Sequence, residues 1–263
     1  MLYKDEAVVL RTMRLGEADR IVTFLGRDEG KIRAVAKGIR KTKSRFGARL
    51  EPFSRVSLVI WRGKSDLHTV TQVQVMESFR TIREDLDRFA AGEVMLEACD
   101  RVVQEEFSGR IFTVLIDGLR RLSAEGPNGL LNGRVLTGFL LRLSDVAGFR
   151  PSLDRCAQCD APAAWFSPSQ GGAVCPKCRS GDSEEVGPEV LELMSDILSQ
   201  GTAGAFPQTN TAIALEDSRI RRMADPELAF MAVRLARFYT EYHLERRLKS
   251  APAMDAFREM AAH

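Results

Sequence analysis

Four of the five cysteines stand in two close pairs, and this spacing constrains the fold more than any other feature of the 263-residue chain. The pairs are Cys156/Cys159 and Cys175/Cys178, with fifteen residues between them. Two Cys-x-x-Cys pairs at such a separation form two knuckles whose thiolates converge on one ion, so we predict one structural Zn²⁺ per chain. A redox dithiol and an iron–sulfur cluster are the alternatives. Four thiolates leave no open coordination position, so the metal would staple a loop and not activate water.

The first 80 residues are typical of short β-strands separated by turns. Strands rich in Val, Ile, Leu and Thr are predicted at residues 7–11, 20–25, 31–36, 55–61 and 67–76. Asp28-Glu29-Gly30 and Arg62-Gly63 supply turn signals between them. Five antiparallel strands of this length predict a small closed barrel of the oligonucleotide-binding (OB) type.

The long connection between the third and fourth predicted strands is strongly basic. Residues 1–80 hold 17 Lys/Arg against 9 Asp/Glu, a balance of +8, so with a net charge of +2 the remaining residues must carry −6. Clustered Lys and Arg side chains attract a sugar-phosphate backbone, so the connection is a candidate nucleic-acid contact. The alternative interpretation is a solvated surface loop. Phe46 either stacks on a base or plugs the loop from below. The candidate phosphate-binding residues are Lys37, Arg40, Lys41, Lys43, Arg45 and Arg49.

The hydrophobic period changes to that of helices from about residue 83. One long helix is predicted there, with Leu86, Phe89 and Val94 on its apolar face, followed by helices at residues 111–122 and 130–146. Pro188 and Asp225-Pro226 start two more. Together these patterns predict an α+β multidomain chain with residues 201–223 unassigned. Its parts are an OB-fold domain (1–80), a helical domain in two segments (81–150 and 183–250), the inserted cysteine module (151–182) and a tail (251–263).

The motifs of common enzymes are missing from the sequence. No His-Glu-x-x-His or Gly-x-Ser-x-Gly occurs, and Gly63-Lys64-Ser65 lacks the glycine that a phosphate-binding loop needs at residue 58. We therefore expect no enzyme activity and assign no catalytic residue. A metal-dependent nuclease would need an Asp/Glu/His cluster that the sequence does not suggest, whereas an RNA-binding barrel with a zinc ribbon remains a rival. No apolar run approaches a membrane span and no signal peptide is recognisable, so we expect a cytoplasmic protein.

Several longer segments resemble one family of bacterial proteins in sequence and in order. They include Ala36-Lys37-Gly38-Ile39-Arg40-Lys41, Gly148-Phe149-Arg150-Pro151-Ser152-Leu153-Asp154-Arg155-Cys156 and Tyr242-His243-Leu244-Glu245-Arg246-Arg247-Leu248-Lys249-Ser250. With the four cysteines, they make the chain similar to the RecO family of DNA repair and recombination mediators. Not every member keeps the cysteines, so the resemblance does not make zinc the chemical centre of the activity.

The resemblance implies a set of activities and partners. It implies binding of single- and double-stranded DNA, annealing of complementary strands, a nucleoid-associated location, and, with RecR, loading of RecA onto single strands coated by single-stranded DNA-binding protein (SSB). Participation of RecF is left open. It also implies that the helical body receives the acidic, hydrophobic C-terminal tail of SSB, for which Arg120, Arg121 and Arg142 are candidate rim residues. Solvated surface arginines are the alternative reading of these three.

Overall fold

A computed structural model describes residues 1–40, 46–64, 66–103, 108–124, 129–199 and 225–250. The chain forms two compact units, Met1–Ala124 and Glu125–His263. The barrel and the first helices belong to the first unit, and the cysteine pairs belong to the second. The finer predicted division into five segments stays a prediction.

The first unit begins with a closed five-stranded barrel, as the sequence predicts. Its strands are β1 (Leu2–Leu15), β2 (Asp19–Gly26), β3 (Lys31–Ala36), β4 (Arg55–Trp61) and β5 (Leu67–Glu77). They close in the order β1-β2-β3-β5-β4, and every neighbouring pair is antiparallel except β3 and β5, which are parallel. The five strands and the Greek-key order are those of an OB-type barrel.

Strand β1 is much longer than the predicted residues 7–11 because it serves two neighbours. Its first half, Leu2–Val8, pairs with β4, and its second half, Ala7–Leu15, pairs with β2. The two pairings overlap at residues 7 and 8, and a register shift interrupts the pairing with β2 just beyond them, between Val9 and Arg11. Such a bulge bends a strand, so residues 12–15 form a hairpin with the start of β2.

Three α-helices follow the barrel in the part of the first unit that the structure describes: α1 (Arg80–Glu84), α2 (Leu86–Val102) and α3 (Ser108–Ala124). The predicted single helix is wrong at its start, because Asp85 is extended (φ −125°) and caps α2 by accepting from the Arg88 N–H. Val94 is buried as predicted, but Leu86 is 76% exposed and Phe89 is 39% exposed. The buried face instead turns toward Met95 and Cys99.

Within the described residues, the second unit contains three helices and one small sheet. The helices are α4 (Gly129–Val146), α5 (Pro188–Ser199) and α6 (Pro226–His243), and the strands are β6 (Trp165–Ser167), β7 (Gly172–Val174) and β8 (Glu184–Glu185). The predicted cap of the last helix is confirmed, since the Asp225 carboxylate accepts from the Glu227 N–H at 2.8 Å. Residues 147–187, between α4 and α5, contain all four paired cysteines and are called the metal module. None of the helices within the described residues is both long and apolar enough to cross a bilayer.

Candidate nucleic-acid interface and metal centre

The turn that follows β3 displays two of the predicted phosphate-binding cations. Lys37 and Arg40 are exposed on either side of Gly38, whose positive φ of 68° suits glycine. The Gly38 N–H donates to Asp19 Oδ1 at 2.7 Å, and the Arg40 N–H donates to the Ala18 carbonyl at 3.0 Å. These bonds fix the turn against the β1–β2 connection, so the two cations project from a defined backbone.

Buried apolar residues alternate with the cations along the connection. Ile39, Phe46 and Leu50 are 8%, 1% and 0% exposed and pack into the barrel core. The stacking role considered for Phe46 is therefore wrong, because a ring so deeply buried cannot lie on a base, and the plug alternative holds. The connection is pinned from below by apolar side chains, as an amphipathic segment over a hydrophobic core requires.

Arg49 is also exposed, within the 3₁₀ turn Gly47–Leu50 between the buried Phe46 and Leu50. Lys41, Lys43 and Arg45 lie outside the described residues, so their assignment stays a prediction. Lys37, Arg40 and Arg49 all lie in the β3–β4 connection and are exposed.

One further cation was missed by sequence reasoning. Arg14 is exposed near the tip of the β1–β2 hairpin, where Arg40 Nη1 donates to the Gly16 carbonyl at 3.3 Å. The available signal was the sequence Arg11-Thr12-Met13-Arg14, which continues the alternation of β1 past the predicted strand end. Arg14, Lys37, Arg40 and Arg49 are called the basic end.

The three arginines predicted to form a rim for a peptide all contact other groups of the protein. Arg120 Nε donates to Glu77 Oε2 at 3.0 Å, and Arg121 pairs with Asp117 at 2.9 Å with only 12% of its side chain exposed. Arg142 is half-buried in the second unit and donates to the Ile197 carbonyl. The structure gives each of the three a structural contact, and their role as a rim stays a prediction.

The four paired cysteines converge on one point. Their Sγ atoms all lie within 4.8 Å of one another, and Cys159 and Cys175 are 3.6 Å apart without a disulfide. Zinc–thiolate bonds of about 2.3 Å in a tetrahedron place sulfur atoms roughly 3.8 Å apart. The donor set therefore fits a tetrahedral, thiolate-bound metal ion.

The surroundings of the four thiols shift their pKa values in opposite directions. Burial acts to raise the pKa of Cys156, but the backbone N–H groups of Gln158, Cys175 and Cys159 outweigh it and lower that pKa to about 6. Hydrogen bonding to the neighbouring thiols of Cys159 and Cys175 raises the pKa of Cys178 to about 12. Thiolates this close repel one another, so all four ionise together only around a metal.

The backbone around the cysteines is tightly constrained. The Cys156 N–H donates to the Ala161 carbonyl at 2.9 Å, and the Cys178 N–H donates to the Cys175 carbonyl at 3.0 Å. Gly172 has φ +124°, and a Cβ there would lie 2.3 Å from the Ser152 carbonyl oxygen. Only glycine allows the first knuckle and β7 to approach so closely.

Asp182 ties the end of the module to its sheet. Its carboxylate accepts from the hydroxyls of Ser167, Ser169 and Ser180, and from the Ser169 N–H at 3.0 Å. Burial acts to raise the pKa of Asp182, but these hydrogen bonds outweigh it and hold the pKa well below its ordinary value. Beyond Asp182, Glu184 and Glu185 form β8 beside β6.

Comparison with known proteins assigns both parts of the chain to one family. Residues 1–79 match the family model described as "Recombination protein O N terminal", and residues 83–252 match "Recombination protein O C terminal". The chain belongs to the RecO family. RecO relatives named "DNA repair protein RecO" include one from a Nocardioides species, 43% identical over 258 residues that cover 95% of this chain and 98% of the relative. A second, from Frankia casuarinae, is 41% identical over 260 residues, covering 97% and 98%. A third, from Thermobifida fusca, is 44% identical over 202 residues, covering 75% and 82%.

The RecO assignment confirms the predicted family and agrees with the OB-type barrel and the cysteine cluster. The chain is a RecO-family DNA repair protein with a group of four thiols that can hold a metal ion.

Proposed function

We propose that this RecO-family protein binds single- and double-stranded DNA through the basic end, anneals complementary strands and, with RecR, helps to load RecA onto SSB-coated single strands. The observation that carries the proposal is the arrangement of Lys37, Arg40 and Arg49, which are exposed while Ile39, Phe46 and Leu50 anchor the same segment in the barrel core.

Annealing requires only that the repulsion between two phosphate backbones be reduced. Cations fixed on a rigid barrel neutralise phosphates and release the counterions condensed on the strands. Neither bond cleavage nor ATP is needed for this step. The proposed activity is therefore that of a mediator and not of an enzyme.

A nuclease is the rival from another functional class. Hydrolysis by bound divalent ions needs oxygen or nitrogen ligands that converge on an open site. Among the described residues, the convergent group of potential metal ligands is the set of four cysteines, whose thiolates close the coordination sphere. This favours the mediator, and Mg²⁺-dependent degradation of DNA by the pure protein would revive the nuclease.

The salt dependence of binding to single-stranded DNA tests the basic end. Each phosphate contact contributes a slope of about −0.7 to log K against log [salt], so Lys37→Glu/Arg40→Glu/Arg49→Glu is expected to flatten the slope by about 2. Arg80→Glu/Arg150→Glu/Arg155→Glu makes the same change in net charge at exposed arginines elsewhere and should leave the slope unchanged. Equal slopes for wild type and the first variant would exclude Lys37, Arg40 and Arg49 as phosphate contacts. Competition between matched DNA and RNA strands then separates a DNA-binding from an RNA-binding barrel.

The metal is proposed to be zinc, held by Cys156, Cys159, Cys175 and Cys178. When bound, it would supply structural cross-linking and no Lewis-acid catalysis, because four thiolates occupy its coordination positions. Elemental analysis should find one zinc per chain, lost in Cys175→Ser. Iron at the same stoichiometry would instead indicate an iron–sulfur centre.

The partners RecR, SSB and RecA are proposed from the family. An acidic SSB tail needs an apolar groove with basic groups on its rim, and Arg120, Arg121 and Arg142 remain the candidates for those groups. Normal binding of a tail peptide to Arg121→Glu/Arg142→Glu would exclude those two residues. A folded variant that no longer binds the peptide, with its metal content unchanged, would support them.

A further inference from the structure

The tip of the β1–β2 hairpin leaves large apolar side chains in water. Met13 is 49% exposed and Leu15 is 38% exposed. They are two residues apart on one strand and therefore share a face, and the cross-strand partner of Met13 is Ile21, which is half-buried. Isolated exposed apolar residues are common, but a row of them on one face of a projecting ribbon indicates a contact surface.

The opposite face of the same tip is basic. Arg14 lies between Met13 and Leu15 in sequence and pairs across the ribbon with Arg20. Arg20 already contacts Glu51 at 3.2 Å, whereas Arg14 is exposed and has no ion pair among the described residues. The tip therefore has one face with Met13 and Leu15, where the Asp19 carboxylate opposite Leu15 accepts from the Gly38 N–H, and an opposite face from which Arg14 is exposed.

The tip is held rigidly beside the basic end. At its base, Arg11 pairs with Asp100 of α2 at 3.3 Å. At its turn, the Gly16 and Ala18 carbonyls accept from Arg40, and Asp19 Oδ1 accepts from the Gly38 N–H. A ribbon fixed at both places loses little conformational freedom when it binds, which favours its use as a recognition element.

We propose that this tip is a wedge for nucleic-acid bases: Met13 and Leu15 lie against or between bases of the strand whose phosphates contact Arg14 and the rest of the basic end. The inference rests on the proposed DNA-binding function and adds to it a non-electrostatic contact. Met and Leu are among the side chains that DNA-bending proteins insert between base steps. Bases are favoured over an apolar protein partner because the apolar face adjoins cations and is continuous with the basic end.

Phosphate contacts and base contacts affect binding differently, so they can be measured apart. Phosphate contacts set the slope of log K against log [salt], whereas apolar contacts shift log K equally at every salt concentration. In Met13→Thr/Leu15→Thr, the β-branched polar replacements preserve strand propensity. We expect this variant to bind single-stranded DNA about 10-fold more weakly at all salt concentrations, with an unchanged slope. Arg14→Gln should instead reduce the slope by about 0.7.

The matched control is Leu2→Thr/Met76→Thr, which replaces two apolar strand residues elsewhere on the barrel that are somewhat more exposed than Met13 and Leu15, at 60% and 48%. It should bind like the wild type. Strands containing 2-aminopurine give a second readout, since unstacking raises their fluorescence: the wild type should raise it and Met13→Thr/Leu15→Thr should not.

Unchanged affinity of Met13→Thr/Leu15→Thr would overturn the wedge and point to a protein partner for this face. A changed slope without a uniform loss would also overturn it, because the tip would then act only through charge. Failure of the proposed function itself is distinguishable, since it appears as an unchanged slope in the Lys37→Glu/Arg40→Glu/Arg49→Glu variant.

Discussion

Replacing Phe46 separates its role in the barrel core from a role in binding bases. Its ring is 1% exposed and packs with Ile39, Leu50 and the inward residues of the strands. Removing a fully buried Phe side chain typically costs about 3–5 kcal/mol, so Phe46→Ala should bring the first unit close to unfolding. Phe46→Leu keeps most of the apolar volume and should cost about 1 kcal/mol, leaving a folded protein for binding measurements.

The two roles predict opposite results for Phe46→Leu. If the ring is only a core residue, the affinity for single-stranded DNA should stay within about twofold of wild type, while the stability falls. A ring stacked on a base contributes about 1–3 kcal/mol, so its loss would weaken binding about 5- to 150-fold.

Stability of the first unit can be followed by urea unfolding with the fluorescence of Trp61, which lies in β4. A Trp165→Phe background removes the signal of the other tryptophan in the chain. A loss of affinity much larger than twofold in folded Phe46→Leu would refute the assignment of Phe46 to the core.

Two further predictions concern stability, and a third concerns the metal site. Glu77 bridges Arg55 and Arg120, and the hydrogen bond from Arg120, ahead of that from Arg55, lowers the pKa of Glu77 below its ordinary value of 4.5. A lowered carboxylate pKa stabilises the fold above pH 4.5, and this stabilisation is lost as the pH falls through the folded-state pKa. Glu77→Gln should therefore lower the free energy of unfolding by about 1–2 kcal/mol at pH 7 in urea titrations and flatten the acid side of the pH profile of stability. In α2, a Cβ on Gly92 would lie 2.7 Å from the Phe53 ring, so Gly92→Ala should lower stability by about 1–3 kcal/mol. The control is Gly133→Ala in α4, where the nearest contact of a Cβ is an ordinary 3.4 Å, and this variant should be neutral or more stable by up to about 1 kcal/mol. Equal effects of the two substitutions on the melting temperature would contradict the packing around Gly92. A bound metal should protect the four clustered thiols from a thiol reagent, and its removal with a chelator should make them react rapidly, while buried Cys99 reacts only on unfolding. Equally fast reaction of the four thiols before and after chelation would argue against a metal site.

Local patterns in the sequence predicted the elements whose side chains face one core. Strands β3 and β4 have the predicted bounds because buried residues alternate along β4 and along the first half of β3, which ends in a short run of buried apolar residues. The metal ligands were predictable for a similar reason, since both residues of a knuckle are close in sequence. The bend between α1 and α2 and the length of β1 were not predictable, because each depends on which neighbour the segment contacts.

The role of Phe46 shows a second limit of sequence reasoning. A phenylalanine among cations suits both a core and a stacking platform, and only the position of the barrel core decides between them. Strands β6 to β8 show a third limit. They have two or three residues each, which is too short for any periodicity, and they are ordered by the cysteine knuckles and the hydrogen bonds of Asp182.

The most direct test of the proposed function is the annealing of two complementary labelled DNA strands, bare and then coated with the cognate SSB, without ATP. We expect the wild type to accelerate annealing in both states, and the Lys37→Glu/Arg40→Glu/Arg49→Glu variant to lose the acceleration while it keeps its metal. Acceleration of bare strands alone would contradict the mediator function and leave a general polyanion binder. No acceleration by folded, metal-loaded protein would contradict intrinsic annealing altogether.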